Sequence, residues 1–96
     1  MGAAPLRYYR DPQEALVTRH LDGLTLVYHR PSGITHIVDS PLPEIMTALG
    51  AEPIEAAQLL DRLRETYDLG EEEEALAGIG LHLDSLAALG LVRIAQ

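Results

Sequence analysis

The segment Leu24–Asp39, with the sequence LTLVYHRPSGITHIVD, contains two apolar runs that flank Arg30-Pro31-Ser32-Gly33. Proline and glycine stand in this connecting segment, where a tight turn favours them. The side chains of each run alternate between two faces, which is typical of β-strands. In the first run one face is Leu24, Leu26 and Tyr28, and the other is Thr25, Val27 and His29. The segment therefore predicts a β-hairpin.

A further strand is predicted upstream of this hairpin. Asp22-Gly23 connects the two, and this dipeptide is the strongest short signal for a hairpin turn. The three predicted strands are about Ala15–Leu21, Leu24–Arg30 and Ile34–Asp39. The strand Ile34–Asp39 comes last, so it forms a sheet edge with free backbone groups unless another segment pairs with it.

Beyond Asp39 the apolar residues change from a period of two to a helical spacing. Ser40 can cap a first helix, Pro41 suits its first position, and Gly50 ends it. Its apolar stripe is Leu42, Ile45, Met46 and Leu49.

Two more helices are predicted. One opens at Pro53 and closes at Leu69-Gly70, and the next starts in the acidic run Glu71–Glu74. A short apolar tail, Leu91–Ile94, follows the last helix. The apolar stripes of these two helices are Ala56, Leu59, Leu60, Leu63 and Tyr67, and Leu76, Ile79, Leu83 and Leu86. The sequence thus predicts an α+β fold in which a three-stranded antiparallel sheet is followed by three helices.

The length of 96 residues fits one domain, with residues 1–13 as a loosely held arm and residues 14–96 as the folded unit. No apolar run is long enough for a signal peptide or a membrane span, and the chain has no cysteine. These features predict a cytoplasmic protein without disulfides.

The charge of the chain narrows the choice of partners. Fifteen acidic residues face seven arginines and no lysine, which gives a formal net charge of −8. Proteins that bind nucleic acid or an anionic membrane surface need a basic patch, and none is visible in the sequence. We therefore expect neither nucleic acid nor a membrane as a partner, but neutral or basic polypeptides.

Residue types that carry chemistry occur in patterns that predict neither catalysis, nor a cofactor, nor a metal site. The four histidines match no zinc-ligand spacing, although His29 and His36 lie on adjacent predicted strands. The three serines show no nucleophile context and no paired base, and no phosphate-binding loop is present. The sequence thus predicts a protein that is not an enzyme.

Two features remain for a binding function. The edge strand ITHIVD carries none of the lysines, prolines or inward charges that usually protect such edges before its final Asp39. Gly78 and Gly80 flank Ile79 inside the third helix, where each glycine costs about 1 kcal/mol. Either the helix starts late, near Gly80, or the glycines leave a trough beside Ile79, lined by Leu76 and Leu83, that accepts an extended peptide.

The order of these motifs resembles the PqqD family of peptide chaperones, and most closely its HPr-rel-A system branch. The resemblance rests on Ser32-Gly33-Ile34-Thr35-His36 in the hairpin, followed by Leu83, Leu86 and Leu89-Gly90-Leu91-Val92 at the end of the chain. It covers about residues 16–94.

The resemblance implies a RiPP recognition element, a winged helix-turn-helix domain in the biosynthesis of ribosomally synthesised, modified peptides. In that family the domain binds the leader segment of a precursor peptide and presents it to a peptide-modifying enzyme. The leader adds as a strand to the third strand and packs against the third helix. The corresponding peptide-binding residues in this chain are Thr35, His36, Ile37, Val38 and Asp39, with Leu76, Ile79, Gly80 and Leu83 opposite.

Two alternatives share the same fold class. A winged-helix transcription regulator needs basic residues on its recognition helix, whereas only Arg62 and Arg64 are basic between Gly50 and Gly90. A dimerisation module in which two edge strands pair with each other, giving a homodimer, stays open because strand addition suits a second copy as well as a peptide.

Overall fold

A computed structural model of the chain describes residues 5–95. The strands are β1 (Arg7–Tyr9), β2 (Leu16–Leu21), β3 (Leu24–His29), β4 (Ile34–Val38), β5 (Ile54–Glu55) and β6 (Arg93–Ala95). The helices are α1 (Leu42–Ala48), α2 (Ala56–Arg64) and α3 (Glu72–Ala88), and a short 3-10 turn covers Gln13–Ala15. The α+β class predicted from the sequence is therefore confirmed.

The larger of two antiparallel sheets has the strand order β2–β3–β4. Its two hairpins have the predicted turns, and the strand ends differ from the prediction by one residue at most. Val27 of β3 lies opposite His36 of β4, and Leu26 lies opposite Ile37. The inner face of β3 is Thr25, Val27 and His29, all of which are buried. The more apolar face, which contains Leu24 and Tyr28, is exposed.

The second sheet was not predicted. Its strand order is β5–β1–β6, so β1 pairs with a strand between α1 and α2 and with a strand after α3. The expected order of three strands followed by three helices is therefore wrong for β1, β5 and β6. The N-terminal arm is also corrected for residues 7–9, because Tyr8 is only 6% exposed and lies in the core. Residues 1–4 of that arm lie outside the described residues.

All three helices contribute to one core. Ile45 of α1 and Leu49, the residue after this helix, pack with Leu60 of α2 and with Leu83 of α3, and each is at most 2% exposed. Val27 and Val38 join the large sheet to the same cluster, and Tyr8, Ile54, Leu91 and Val92 join the small one. The predicted helical stripes thus face the core, with the exception of Tyr67, which lies beyond the end of α2 and is exposed.

The start of α1 differs from the prediction. The helix begins at Leu42, Pro41 precedes it, and no side chain caps it. The Ser40 hydroxyl donates instead to a carboxylate oxygen of Glu44, at 2.6 Å. Ser40 therefore fixes the position of this carboxylate rather than capping the helix.

Candidate functional site

Strand β4 is an edge of the large sheet, as the sequence predicts. Within residues 5–95 its only partner is β3. Ile34 and Ile37 are 53% and 65% exposed, and Asp39 follows the strand as an exposed residue. An exposed, apolar, unprotected edge is a template for another strand.

Two turn hydrogen bonds fix which residues of β4 face this free edge. The Arg30 N–H donates to the Ala15 carbonyl on the β2 side, and the Gly33 N–H donates to the His29 carbonyl on the β4 side. Because backbone groups alternate in direction along an antiparallel strand, Val27 and His29 point their groups toward β4.

The register then assigns the backbone groups of β4. His36 lies opposite Val27 and Ile34 lies opposite His29, so both direct their N–H and C=O groups toward β3. Thr35 and Ile37 direct theirs away from the sheet, with exposed side chains on the outer face. Thr35 and Ile37 are thus the two β4 residues that offer backbone groups to an incoming strand.

Strand β2 is a second free edge, which the sequence interpretation did not consider. Its outward residues are Leu16, Thr18 and His20, by the same alternation. This edge carries Arg19, and it borders a cleft of about 510 Å³ whose lining includes Arg10, Thr18, His20 and Thr47. A charge on the strand and a polar neighbourhood make β2 the less favourable template.

Only some of the α3 residues that were predicted to contact the peptide are accessible at the surface. Leu83 is fully buried and Ile79 is 5% exposed, so both are core residues. Leu76 and Gly80 are half-buried. Leu83 is therefore removed from the set of residues that a peptide can contact directly, because the helices and sheets of the core cover it.

A groove does lie beside Ile79, but helices rather than β4 form its other walls. It has a volume of about 380 Å³. Its lining residues are Pro41, Glu44, Ile45, Leu63, Tyr67, Asp68, Leu69, Ala75, Gly78, Ile79 and His82. This helical groove starts near the end of β4, since Pro41 is the third residue after Val38 and their Cα atoms are at most about 11 Å apart.

Helix α3 runs without interruption through both glycines, from Glu72 to Ala88. The possibility that it starts near Gly80 is thus wrong. Apart from the glycine, its chain neighbours and the nearby backbone of α3, no atom of the described residues lies within 4 Å of a Cβ built on Gly78 or Gly80. No other described segment therefore packs closely against either glycine. Gly78, rather than the predicted Gly80, opens the floor of the helical groove.

We expect Gly78→Ala and Gly80→Ala each to raise the free energy of unfolding by up to about 1 kcal/mol. Alanine has the higher helix propensity, and its methyl group enters open space at both positions. Urea denaturation of the two variants measures this gain. A loss of stability in either variant would show that a close contact, and not free space, surrounds the glycine.

His36 occupies the inner face of β4 and is half-buried. Its Nε2 atom is buried and has no hydrogen-bond partner among the described residues. The expected approach of His29 and His36 does not make a metal site: within residues 5–95, no three potential ligand side chains gather around one position. His29 instead belongs to a hydrogen-bonded network at the other end of the hairpin.

This network links the N-terminal segment, the hairpin and β6. Asp11 Oδ2 lies 2.8 Å from His29 Nε2, and Arg93 Nε donates to Asp11 Oδ1 at 2.7 Å. His29 Nδ1 lies 2.8 Å from Ser32 Oγ. The statement that no serine has a paired base is therefore wrong for Ser32.

The contacts run from a serine to a histidine to an aspartate, as they do in hydrolase triads. The two ring nitrogens of the histidine are, however, exchanged relative to the serine protease arrangement. Here Nδ1 faces the serine and Nε2 faces the carboxylate. Ser32 Oγ also accepts the Ile34 N–H at 3.3 Å and lies 3.4 Å from the His29 carbonyl. These bonds close the hairpin turn, which gives the network a structural role.

We expect Asp11→Asn to lower the free energy of unfolding by about 1–3 kcal/mol near neutral pH, because hydrogen bonds to a charged group contribute about that much. The hydrogen bond from Arg93, and after it the one from His29, holds the pKa of Asp11 below its usual value. This stabilisation is complete above the unfolded-state pKa, near pH 4, and is lost as the pH falls through the lower folded-state pKa.

Thermal melts between pH 7 and pH 2 measure this effect. The wild type and Asp11→Asn should converge at the acidic end, while Asp61→Asn, at an exposed position of α2, should follow the wild type throughout. A gap between wild type and Asp11→Asn that stays constant down to pH 2 would contradict a role of the ionised carboxylate.

Another cleft, of about 570 Å³, lies on the other side of α1. Polar side chains such as His20, Thr47, Arg62 and Thr66 line much of it. It adjoins the β2–β3 turn rather than the free edge of β4, so we do not assign it to the site formed by β4 and the helical groove.

No family model, curated protein or solved structure matches this chain. Across residues 5–95, no helix has both the length and the apolar character needed to cross a membrane.

Proposed function

We propose that this chain is a non-catalytic peptide-binding adapter. It captures the leader segment of a ribosomally synthesised precursor peptide by adding it as a strand to β4, and it presents the peptide to a peptide-modifying enzyme in the cytoplasm. The observation that carries the proposal is the free β4 edge, where Thr35 and Ile37 offer their backbone groups beside exposed apolar side chains.

The helical groove supports the same proposal. A strand that pairs with β4 and continues past Val38 needs about three more residues to reach it, at about 3.3 Å per residue. The groove is largely apolar, so it accepts a side chain of the peptide and adds specificity to the backbone pairing. In the PqqD-like, winged helix-turn-helix arrangement that we propose, the peptide pairs with β4 and packs against α3.

Charge favours a peptide over nucleic acid as the partner. Helix α3, the recognition helix in a winged-helix DNA reader, contains four acidic residues and neither lysine nor arginine. A phosphate backbone would meet repulsion along this helix. We therefore propose no transcription-regulator role.

Self-association is a second candidate function, and one observation favours it. The outer face of the large sheet exposes Leu21, Leu24, Tyr28 and Ile37, which form an apolar patch next to the β4 edge. Sedimentation velocity with and without peptide separates the two functions. If the protein is a dimer that dissociates when peptide binds, the dimer contact and the peptide use the same edge. If the protein is a monomer without peptide, the β4 edge is free for the peptide.

Amide hydrogen exchange tests strand addition to β4. The probe is a peptide recovered from a displayed random library on the immobilised protein. In the free protein the N–H groups of Thr35 and Ile37 should exchange rapidly, and bound peptide should slow them at least tenfold. The N–H groups of His36 and Val38 already point to β3, so their exchange should change much less.

Two outcomes contradict the proposal. Protection that appears at Thr18 and His20 would place the peptide on the β2 edge. A recovered peptide that protects neither edge would show that strand addition is not the mode of binding.

A further inference from the structure

The helical groove combines an apolar floor with an acidic rim. Ile45, Leu63 and Ile79, one from each helix, form its buried floor. Glu44 and Asp68 lie among its lining residues, and no arginine does. The sequence contains no lysine, so His82 is the only lining side chain that can carry a positive charge.

Local hydrogen bonds hold the two rim carboxylates in place. Glu44 accepts the Ser40 hydroxyl at 2.6 Å, and Asp68 accepts the Gly70 N–H at 3.3 Å. Neither carboxylate pairs with an arginine of residues 5–95, where the arginine–carboxylate pair is Arg93 with Asp11. Arg64 donates instead to the Gly70 carbonyl, at 3.1 Å. The carboxylates are therefore positioned without a direct ion pair to an arginine of the described residues.

Further acidic residues stand at the start of α3, next to the groove. Ala75 lines the groove, and its N–H donates to the carbonyl of Glu71, the residue before the helix. Glu72, Glu73 and Glu74 form the first turn of α3. The negative potential at the groove mouth thus extends along the start of α3, within a chain whose net charge is −8.

We propose that the helical groove binds a cationic peptide segment, with a large apolar side chain on the groove floor and a neighbouring lysine or arginine beside Glu44 and Asp68. This inference rests on the proposed function, because the segment is the continuation of the strand that pairs with β4. It specifies the partner as a basic, amphipathic peptide. An acidic segment would meet repulsion at the rim, and a second copy of this chain would bring the same excess of carboxylates.

The test compares charge variants of the groove with a matched control. The probe is the tightest-binding peptide of the displayed library, together with a synthetic version in which its lysine and arginine residues are replaced by glutamine. The protein variants are Asp68→Lys and Glu44→Gln, and the latter keeps an acceptor for the Ser40 hydroxyl. The control is Asp61→Lys, which makes the same change of charge as Asp68→Lys at an exposed position of α2 outside the groove.

We expect the recovered peptides to contain lysine or arginine next to a large apolar residue. Asp68→Lys and Glu44→Gln together should weaken binding about tenfold at low salt, and less at high salt because exposed charges are screened. Asp61→Lys should bind like the wild type. The glutamine peptide should bind the wild type and the double variant with similar affinity.

The inference is overturned if the recovered peptides lack basic residues, or if the groove variants bind the cationic peptide like the control. In that case protection of Thr35 and Ile37 by the same peptide would leave the adapter function standing. Loss of that protection would contradict the adapter function itself, so the two failures are distinguishable.

Discussion

Proline at Ile37 is expected to leave the protein folded and to reduce peptide affinity at least tenfold. The Ile37 N–H points away from β3, so its removal breaks no bond of the sheet. An incoming strand loses this donor and meets the proline ring at the edge. Ile37→Ala, which keeps the N–H, is the matched control for the loss of the side chain.

Proline at His36 has the opposite expected effect. The His36 N–H points to β3, so the substitution removes a ladder bond and leaves the facing carbonyl unsatisfied, at a cost of about 1–3 kcal/mol. Val38→Pro should destabilise the protein further, because Val38 is also a core side chain that is only 4% exposed. Circular dichroism melts and peptide titrations of the same samples separate folding from binding.

Thr18→Pro tests which edge of the large sheet is used. Its N–H faces outward from β2, so this variant should fold and should bind peptide like the wild type. If Thr18→Pro loses binding while Ile37→Pro retains it, the peptide adds to β2. If both variants bind with native affinity, neither edge carries the peptide.

Ile79→Asp is expected to unfold most of the protein, with a loss of more than about 4 kcal/mol. The side chain is 5% exposed among the core residues of three helices, so aspartate would leave a cavity and bury an unpaired charge. Small domains are stable by only about 5–15 kcal/mol. If Ile79 were instead an exposed residue of the groove, the same substitution would reduce peptide binding without a loss of stability.

Leu81→Asp is the control on the same helix. Leu81 is 70% exposed, two residues from Ile79, and its replacement should change the free energy of unfolding by about 0.5 kcal/mol or less. Urea denaturation of both variants measures the difference. Equal stability of the two would show that Ile79 does not belong to the core.

The large sheet was predictable from sequence because its signals are local. Asp22-Gly23 and Pro31-Ser32-Gly33 mark turns of two hairpins whose strands are adjacent in the chain, and alternation marks the strands. The helical stripes were visible for the same reason. Alternation alone did not show which face is inside, and the buried face proved to be the one with Thr25 and His29.

No pattern in the sequence predicts the small sheet. Its strands are two or three residues long, which is too short for any periodicity, and β1 finds its partners more than 40 residues away. The Asp11–His29 bond is similarly invisible, because 18 residues separate the partners without a motif. The position of the helical groove also depends on how three helices pack. The sequence therefore identified Ile79 as a groove residue but wrongly made β4, instead of α1 and α2, the opposite side of the groove.

The pairing of β1 with β6 has a consequence for the order of folding. Tyr9 lies opposite Arg93, so this contact closes a loop of more than 80 residues, whereas the hairpins of the large sheet close loops of two and four residues. Long loops lose more entropy on closure and form late. During synthesis on the ribosome, the pairing of β1 with β6 and the hydrogen bond from Arg93 to Asp11 therefore form only after β6 has been made. The hairpins can form earlier, so the β4 edge is exposed before the small sheet completes the domain.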